Sequence, residues 1–217
     1  MVLVTLGIAA ALLQVLGYAF YIWCTLRKET DPNPTSWLMW AYGTTLVTVL
    51  EFDRGASWVV LCMPVLCAVC RIFVALHIRC KVGTLLPTHW ADWSAFFLDV
   101  GLTSGYVFAW TLNVSHVLTE GQRGVATLAF LVLSNATTVT TFAPMIRDLW
   151  SNPHHEHPLP WFTWTTAYFS LAAATFLQYG FWSEFMIYPI VNLGFHLAVY
   201  LLVRRKRVSI AEAKSSL

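Results

Sequence analysis

Two polar residues, Arg71 and His196, lie in the middle of long apolar stretches, where an arginine or an imidazole is rarely found. Each is preceded four residues earlier by a second polar or polarisable residue, Cys67 before Arg71 and Asn192 before His196. Residues at i and i+4 share a helix face, so each pair forms one polar stripe. A charge at mid-bilayer depth costs about 2.5 kcal/mol or more on insertion scales, which makes these residues the first candidates for a binding site.

Two interpretations of Arg71 remain open. In the first, Arg71 binds an anionic or hydrogen-bonding group of a solute, and Asn192 and His196 complete the polar lining of the cavity. In the second, Arg71 pairs with a buried carboxylate such as Asp99 and only locks helices together. Asp99 and a hydrated His196 are also candidates for proton coupling, because burial raises a carboxylate pKa and His titrates near neutral pH. The alternatives are a structural ion pair or oligomer contact for Asp99 and a neutral, hydrogen-bonded His196.

Further candidates follow the same apolar stretches. Asn135, a further candidate for solute binding, lies in a hydroxyl-rich stretch that could line a water path. Pro144 follows this stretch as a candidate hinge, because hydroxyls can satisfy carbonyls freed by a proline. Trp40 and Trp164 lie near predicted helix ends with Trp37 and Trp161. We expect interfacial anchors there, with a gate stacked from both halves as the alternative. The loop run His154-His155-Glu156-His157 lacks helical ligand spacing, so we expect no metal site.

The elements that position these residues are membrane spans. Of 217 residues, 58% are hydrophobic and 11% are charged, against about 25% charged in soluble domains, and the apolar runs approach the 20 residues that cross a bilayer. The sequence therefore predicts an all-α polytopic membrane protein with seven transmembrane helices. The predicted spans are Val2–Leu26, Thr35–Leu50, Ser57–Ile78, Trp93–Leu112, Val125–Met145, Pro160–Phe181 and Phe185–Val203.

Positive charge predicts the orientation, because cytoplasmic loops retain Lys and Arg. The first, third and fifth loops and the C-terminal tail, which we call the basic side, hold ten of the 13 basic residues. The opposite side holds Arg54 and Arg123. We therefore expect the N-terminus outside and the C-terminus in the cytoplasm, in a plasma membrane or an endomembrane. The net charge of +2 indicates no nucleic-acid partner.

The chain also contains an internal duplication. Trp37 and Trp40 correspond to Trp161 and Trp164 at an offset of 124 residues, and with one residue inserted Arg71 corresponds to His196. Repeats in a membrane protein are typical of transporters whose site lies between them. The sequence predicts a first three-helix repeat over 1–80, a linker helix over 81–120, a second parallel repeat over 121–203 and a basic cytoplasmic tail over 204–217.

This 3+1+3 layout and several local patterns resemble the SWEET and PQ-loop superfamily of small-solute carriers. The matching residues are Ala143-Pro144, Arg147, Glu156, Leu159-Pro160-Trp161, Tyr179-Gly180, Pro189, Asn192, Leu193-Gly194 and Tyr200. The resemblance implies that Asn192 contributes to the pocket and that Phe176 stands where the family has a pocket tryptophan. The Pro-Gln dipeptide is replaced by Pro144-Met145, which indicates a divergent branch.

The expected function is transport of a small polar solute (sugar-like, amino-acid-like or a small anion) by alternating access around a midplane pocket. A sorting or ligand receptor on the same scaffold, without translocation, is the alternative. An enzyme is not expected, because Asp99, Arg71 and His196 lie on three different helices and form no catalytic motif. No cofactor is expected. The expected partners are the lipid bilayer and the solute, and a homo-oligomer remains open.

Overall fold

The computed structural model describes the backbone of residues 1–83, 86–87 and 89–215, and the side chains of these residues except 82, 91 and 205–215. Within this part of the chain the fold is all-helical, as predicted. The seven α-helices are α1 (Val2–Leu26), α2 (Pro34–Asp53), α3 (Trp58–Val82), α4 (Trp90–Val114), α5 (Glu120–Ser151), α6 (Pro158–Tyr179) and α7 (Ile187–Ser215). Two short 3-10 turns, Pro153–His155 and Glu184–Met186, precede α6 and α7.

Five helical segments of the described chain are long and apolar enough to cross a membrane. They are Val2–Leu26, Trp58–Lys81, Asp92–Val114, Glu120–Ser151 and Glu184–Arg204. These segments are compatible with an integral membrane protein. The helices α2 and α6, which carry the paired tryptophans, are not among the five, because their hydroxyl and aromatic residues lower their hydropathy.

The helix boundaries follow from local capping chemistry. The Asn33 side chain accepts a hydrogen bond from the Ser36 N–H at 3.0 Å, and Pro34 occupies the first turn of α2, where a missing N–H costs nothing. Thr119 and Gln122 form a reciprocal capping box at the start of α5. These caps set the starts of α2 and α5 a little before the apolar runs from which their spans were predicted.

For description we divide six of the helices by chain order into two groups of three, α1–α3 and α5–α7. In the first group α3 packs against both α1 and α2, and in the second group α7 packs against both α5 and α6. Between the groups, α1 runs along α6 and α2 runs along α5. The remaining helix, α4, packs mainly on α5, so the core of the molecule lies between the two groups.

The contact between α1 and α6 depends on a glycine. A Cβ atom added at Gly17 would lie 2.3 Å from Nε1 of Trp164, which is well inside van der Waals contact. The Trp164 indole also donates a hydrogen bond to the Gln14 carbonyl at 3.3 Å. Gly17 therefore lets an α6 indole lie directly on the α1 backbone.

Candidate functional site

Arg71 of α3 is buried at the centre of the molecule and is held by hydroxyl groups from three other positions. Its Nε donates to the Tyr18 hydroxyl at 3.0 Å, one terminal nitrogen donates to the Thr44 hydroxyl, and the other donates to the Tyr168 hydroxyl at 3.3 Å. The guanidinium carbon also lies 5.8 Å from the ring centre of Trp40. No carboxylate of the described residues forms an ion pair with Arg71. Its guanidinium is therefore hydrogen-bonded to neutral hydroxyl groups, and its positive charge is not balanced by an anion.

Behind Arg71 lies a buried network of hydroxyl, thiol and amide groups. The Gln14 amide nitrogen donates to the Tyr18 hydroxyl and to Cys67 Sγ, each at 3.2 Å. Tyr18 and Cys67 are 3.1 Å apart, and the hydroxyls of Tyr168 and Tyr188 are 3.2 Å apart. Cys67 therefore belongs to the network that fixes Tyr18 and, through it, the arginine. The structure brings Arg71 and Cys67 together, as expected for residues on one helix face.

A small cavity adjoins Arg71. Its volume is about 10 Å³, which is room for about one water molecule. It lies between α2 and α3 of the first group and α5 and α7 of the second, and its polar lining includes Thr44, Arg71, Ser134, Thr141, Tyr188 and Asn192. The cavity is thus bounded by both groups of helices.

Asn192 and Ser134 line this cavity and have unpartnered side-chain oxygens. The Asn192 amide nitrogen donates to the Tyr188 carbonyl at 3.0 Å, which fixes its Oδ1 as an acceptor. Asn192 Oδ1 and Ser134 Oγ are buried and have no hydrogen-bond partner among the described residues. The lining therefore combines one cation, one unpartnered acceptor (Asn192 Oδ1) and one unpartnered hydroxyl (Ser134 Oγ), which can donate or accept.

His196 lies beside the cavity rather than in its lining. Its Nδ1 donates to the Asn192 carbonyl at 2.7 Å, as expected for residues four apart in a helix. Its ring packs among aromatic rings, with centroids 4.6 Å from Tyr168, 5.3 Å from Phe142 and 5.4 Å from Trp161. The expectation that His196 completes the polar lining is therefore not met, because the aromatic residues surround its ring.

Two other predicted pocket residues do not line the cavity. Phe176 is 51% exposed on the outer face of α6, whereas the preceding residue, Thr175, is fully buried. The residues differ by about 100° around the helix, since α-helices have 3.6 residues per turn, and this rotation turns Phe176 away from the interior. Asn135 is fully buried, but its amide donates to the Leu131 carbonyl at 2.9 Å within α5, and its neighbour Ser134 lines the cavity instead.

The four paired tryptophans form one buried cluster, which we call the tryptophan layer. Trp37, Trp40, Trp161 and Trp164 are at most 4% exposed. Their ring centroids lie 5.3 Å apart for Trp37–Trp40, 5.9 Å for Trp40–Trp161, 5.1 Å for Trp161–Trp164 and 6.3 Å for Trp37–Trp164. The interpretation of these residues as interfacial anchors is wrong, because the first turns of α2 and α6 face each other across the molecule. The layer joins the two groups of helices on the basic side of the cavity.

Glu156 is a buried carboxylate next to the tryptophan layer. The Tyr21 hydroxyl donates to its Oε1 at 2.9 Å, and Trp161 Nε1 donates to its Oε2 at 3.0 Å. Trp37 Nε1 in turn donates to the Tyr21 hydroxyl at 3.0 Å. Burial raises the pKa of Glu156 to about 8, although the hydrogen bonds from Trp161 and Tyr21 act in the opposite direction. This loop carboxylate therefore ties α1, α2 and α6 together.

On the opposite side, ion pairs join the two groups of helices. Arg54 pairs with Glu184 at 2.8 Å and also donates to the Gly124 carbonyl at 3.0 Å. Arg123, in the first turn of α5, pairs with Asp53 at the end of α2. The cavity is therefore covered on one side by aromatic packing and on the other by charged contacts.

Asp99 of α4 does not reach Arg71. The carboxylate is 1% exposed and lies beside Thr137 of α5, and its Oδ2 has no hydrogen-bond partner among the described residues. The ion pair between Arg71 and Asp99, which was the alternative interpretation of Arg71, does not form, because α4 packs on α5 rather than on α3. The proton-coupling role suggested for Asp99 stays a prediction.

Pro144 lies inside a continuous α5. The hydroxyls of the preceding turns bond to carbonyls three residues earlier: Thr137 to Ser134, Thr140 to Thr137 and Thr141 to Thr138, at 2.7–2.8 Å. Such back-bonding bends helices. The hydroxyls thus bond to carbonyls that lie before those freed by the proline, and the hinge role of Pro144 stays a prediction.

The histidines of the loop before α6 have separate contacts. Nδ1 of His155 lies 3.0 Å from the Asp148 carboxylate, and Nδ1 of His157 accepts the Leu159 N–H at 3.2 Å as the cap of α6. Cys24, Glu29 and His157 bring three potential ligand atoms within 4.8 Å of one another. Because one nitrogen of His157 already serves the helix cap, this group is a weak basis for a metal centre, and the expectation of no metal site stays a prediction.

Comparisons with known proteins give no match, whether with family models, with curated proteins or with solved structures. The resemblance to the SWEET and PQ-loop superfamily therefore depends on the motifs of this sequence alone.

Proposed function

We propose that this chain is a membrane transporter, a divergent relative of the SWEET and PQ-loop carriers. It moves a small polar solute by alternating access around the cavity at Arg71. The observation that carries the proposal is the state of Arg71, a buried cation held by hydroxyls alone in a cavity that both groups of helices enclose. An ionic group inside a membrane protein is expensive and in general marks a solute or ion pathway.

The packing pattern supports two equivalent three-helix units. The third helix of each unit packs against the other two, and the contact of α1 with α6 has its counterpart in the contact of α5 with α2. This is the relation expected of parallel repeats about an axis along the membrane normal. The helix α4 then serves as the linker, and the distribution of basic residues supports an external N-terminus and a cytoplasmic C-terminus.

The contacts on the two sides of the cavity, namely the tryptophan layer and the outer ion pairs, are those expected of an occluded state of such a carrier. The tryptophan layer and Glu156 would part on the cytoplasmic side, and the Arg54–Glu184 and Arg123–Asp53 pairs would part on the outer side. Rocking of one unit against the other around a fixed site would open them alternately. In this scheme Trp40 and Trp164 belong to the inner gate, with Pro144 near its hinge.

Transport is tested in proteoliposomes preloaded with unlabelled solute, by counterflow of labelled probes: glucose, alanine and lactate. Arg71→Ala and Asn192→Ala should each lower the initial rate at least tenfold at equal protein content. Asn135→Ala is the matched control, since Asn135 is equally buried but does not line the cavity. Normal rates in both cavity variants would remove the proposed pocket. Saturable binding without counterflow of any probe would select the receptor function instead.

A further inference from the structure

We infer that the solute is a small carboxylate that carries a hydrogen-bond donor close to the carboxylate, that is, a hydroxy acid or an amino acid. This inference rests on the proposed function in one respect, namely that the cavity at Arg71 is where the solute binds. It is carried by three residues of the cavity lining: Arg71 of α3, and Asn192 of α7 and Ser134 of α5, whose side-chain oxygens are buried without a partner among the described residues.

The charge of Arg71 calls for an anion. A guanidinium has five N–H groups, and three are used by Tyr18, Thr44 and Tyr168. One N–H remains on each terminal nitrogen without a protein partner among the described residues, which is the number that a carboxylate accepts in a bidentate contact. A buried charge is costly unless it is paired, so an anionic solute gains most from this site.

The size and charge of the cavity favour a monocarboxylate. Arg71 is the only cationic side chain in the described lining, and one guanidinium balances one negative charge. In this structure the volume of the cavity is only about 10 Å³. A solute of a few carbon atoms therefore requires less separation of the helices than a disaccharide or a nucleotide.

The acceptor Asn192 Oδ1 on the α7 wall requires a donor on the solute, whereas the Ser134 hydroxyl can donate or accept. Asn192 Oδ1 cannot exchange roles with its amide nitrogen, because that nitrogen is bound to the Tyr188 carbonyl. A simple carboxylate would satisfy Arg71 and leave Asn192 Oδ1 unpaired, and a neutral sugar would do the reverse. A site that hydrogen-bonds a solute rejects an analogue lacking that group, because its own buried polar atoms are then left unpaired.

Three nearly isosteric probes separate these contributions. Lactate has both groups, propionate lacks the hydroxyl, and lactamide replaces the carboxylate with a neutral amide; alanine tests an amino group as donor. Binding is measured by thermal shift and by titration calorimetry on the full chain in detergent. We expect saturable binding of lactate or alanine, at least tenfold weaker binding of propionate, and no saturable binding of lactamide. Equal affinity for lactate and lactamide, or for lactate and propionate, or no binding of any carboxylate, would overturn the inference.

Two variants assign the preferences to residues. Asn192→Ala should bring propionate and lactate within about twofold of each other while lactamide stays unbound. Arg71→Gln should remove the preference for lactate over lactamide. Asn135→Ala should change neither preference. Asn192→Ala retains the buried network around Arg71. Its result therefore tests the inference even if Arg71→Gln fails to fold.

The same probes distinguish this inference from the proposed function. Specific binding of lactate or alanine without counterflow would leave the inference standing and remove the transporter proposal. Counterflow of glucose without any carboxylate binding would do the opposite.

Discussion

Arg71 and His196, which occupy corresponding places in the two halves of the sequence, contact the same side chain, Tyr168. The arginine donates to its hydroxyl at 3.3 Å, and the His196 ring packs 4.6 Å from the centre of its phenyl ring. Tyr168 therefore lies between the polar cavity and the aromatic residues that surround His196. Through this shared contact we expect a change at the arginine to affect the aromatic side as well.

Removing only the Tyr168 hydroxyl tests this coupling. Tyr168→Phe keeps the ring against His196 but deprives Arg71 and Tyr188 of a partner. We expect a loss of about 1 kcal/mol in stability and a several-fold weaker binding of lactate or alanine, measured by thermal shift and calorimetry. Tyr42→Phe is the control, because its hydroxyl contacts Thr103 of α4, away from Arg71. Equal effects of the two variants on solute affinity would contradict the role of Tyr168.

The contact between Gly17 and Trp164 predicts a large effect of one methyl group. Gly17→Ala places a Cβ atom against the indole, and overpacking of this kind costs about 1–3 kcal/mol. We expect a lowered Tm for the protein in detergent. Gly194→Ala is the control, since a Cβ atom there meets nothing within 4 Å, and it should leave Tm unchanged or slightly raised. An unchanged Tm in Gly17→Ala would show that α1 and α6 are not in close contact.

Glu156 predicts that stability falls as pH rises. Its pKa lies near 8 in the folded protein and at 4.5 when exposed, so the folded state holds the proton more tightly. The stabilisation from this group is complete below pH 4.5 and is lost as the pH rises through 8, with a slope of at most about 1.4 kcal/mol per pH unit. Glu156→Gln should flatten Tm against pH over this window.

The control for this profile is Glu120→Gln. Glu120 is 80% exposed at its side chain, so the variant should retain the wild-type pH dependence. A slope in Glu156→Gln equal to that of the wild type would assign the pH dependence to other groups.

In the proposed transport cycle, breaking the ion pair between Arg54 and Glu184 should shift the protein toward an outward-open state. Partly exposed pairs contribute about 0.2–1 kcal/mol, which corresponds to at most about a fivefold change in population. A cysteine at position 134 reports access to the cavity when Ser134→Cys is placed in a background that keeps the buried Cys67 and replaces the other native cysteines. Glu184→Gln should speed its reaction with a membrane-impermeant maleimide added outside.

The charge-reversed pair Arg54→Glu with Glu184→Arg should restore the slow rate. Glu120→Gln, which breaks a pair within α5 alone, should have no effect. A labelling rate that does not respond to Glu184→Gln would indicate that the outer ion pairs do not close the cavity.

The helices could be predicted closely from the sequence, because uninterrupted apolar runs and strong caps act locally. The span Val2–Leu26 matches α1 at both ends, and the other spans fall within their helices or exceed them by a few residues. The polar stripe at Cys67 and Arg71 was also recognisable, since helical spacing alone places both on one face. These features require no knowledge of the neighbouring helices.

The predictions that were wrong concern residues whose surroundings are determined by another helix. Tryptophan near a helix end is equally compatible with a lipid interface and with a protein core, and only the packing of α2 and α6 decides for Trp37 and Trp161. Phe176 was expected in the pocket, but the neighbouring position, Thr175, is the one that faces the interior. Tyr18, Tyr168 and Tyr188 carried no signal of their own, although the i, i+4 spacing of Gln14 and Tyr18 repeats the pattern seen at Cys67 and Arg71.

The buried cluster of four indoles also gives the molecule an intrinsic optical probe. These are four of its 11 tryptophans, and they are packed where the two three-helix units meet. Any separation of the units on that side must admit water to the rings and shift their emission to longer wavelengths. Conformational exchange can therefore be followed in real time by the protein's own fluorescence, with no attached dye.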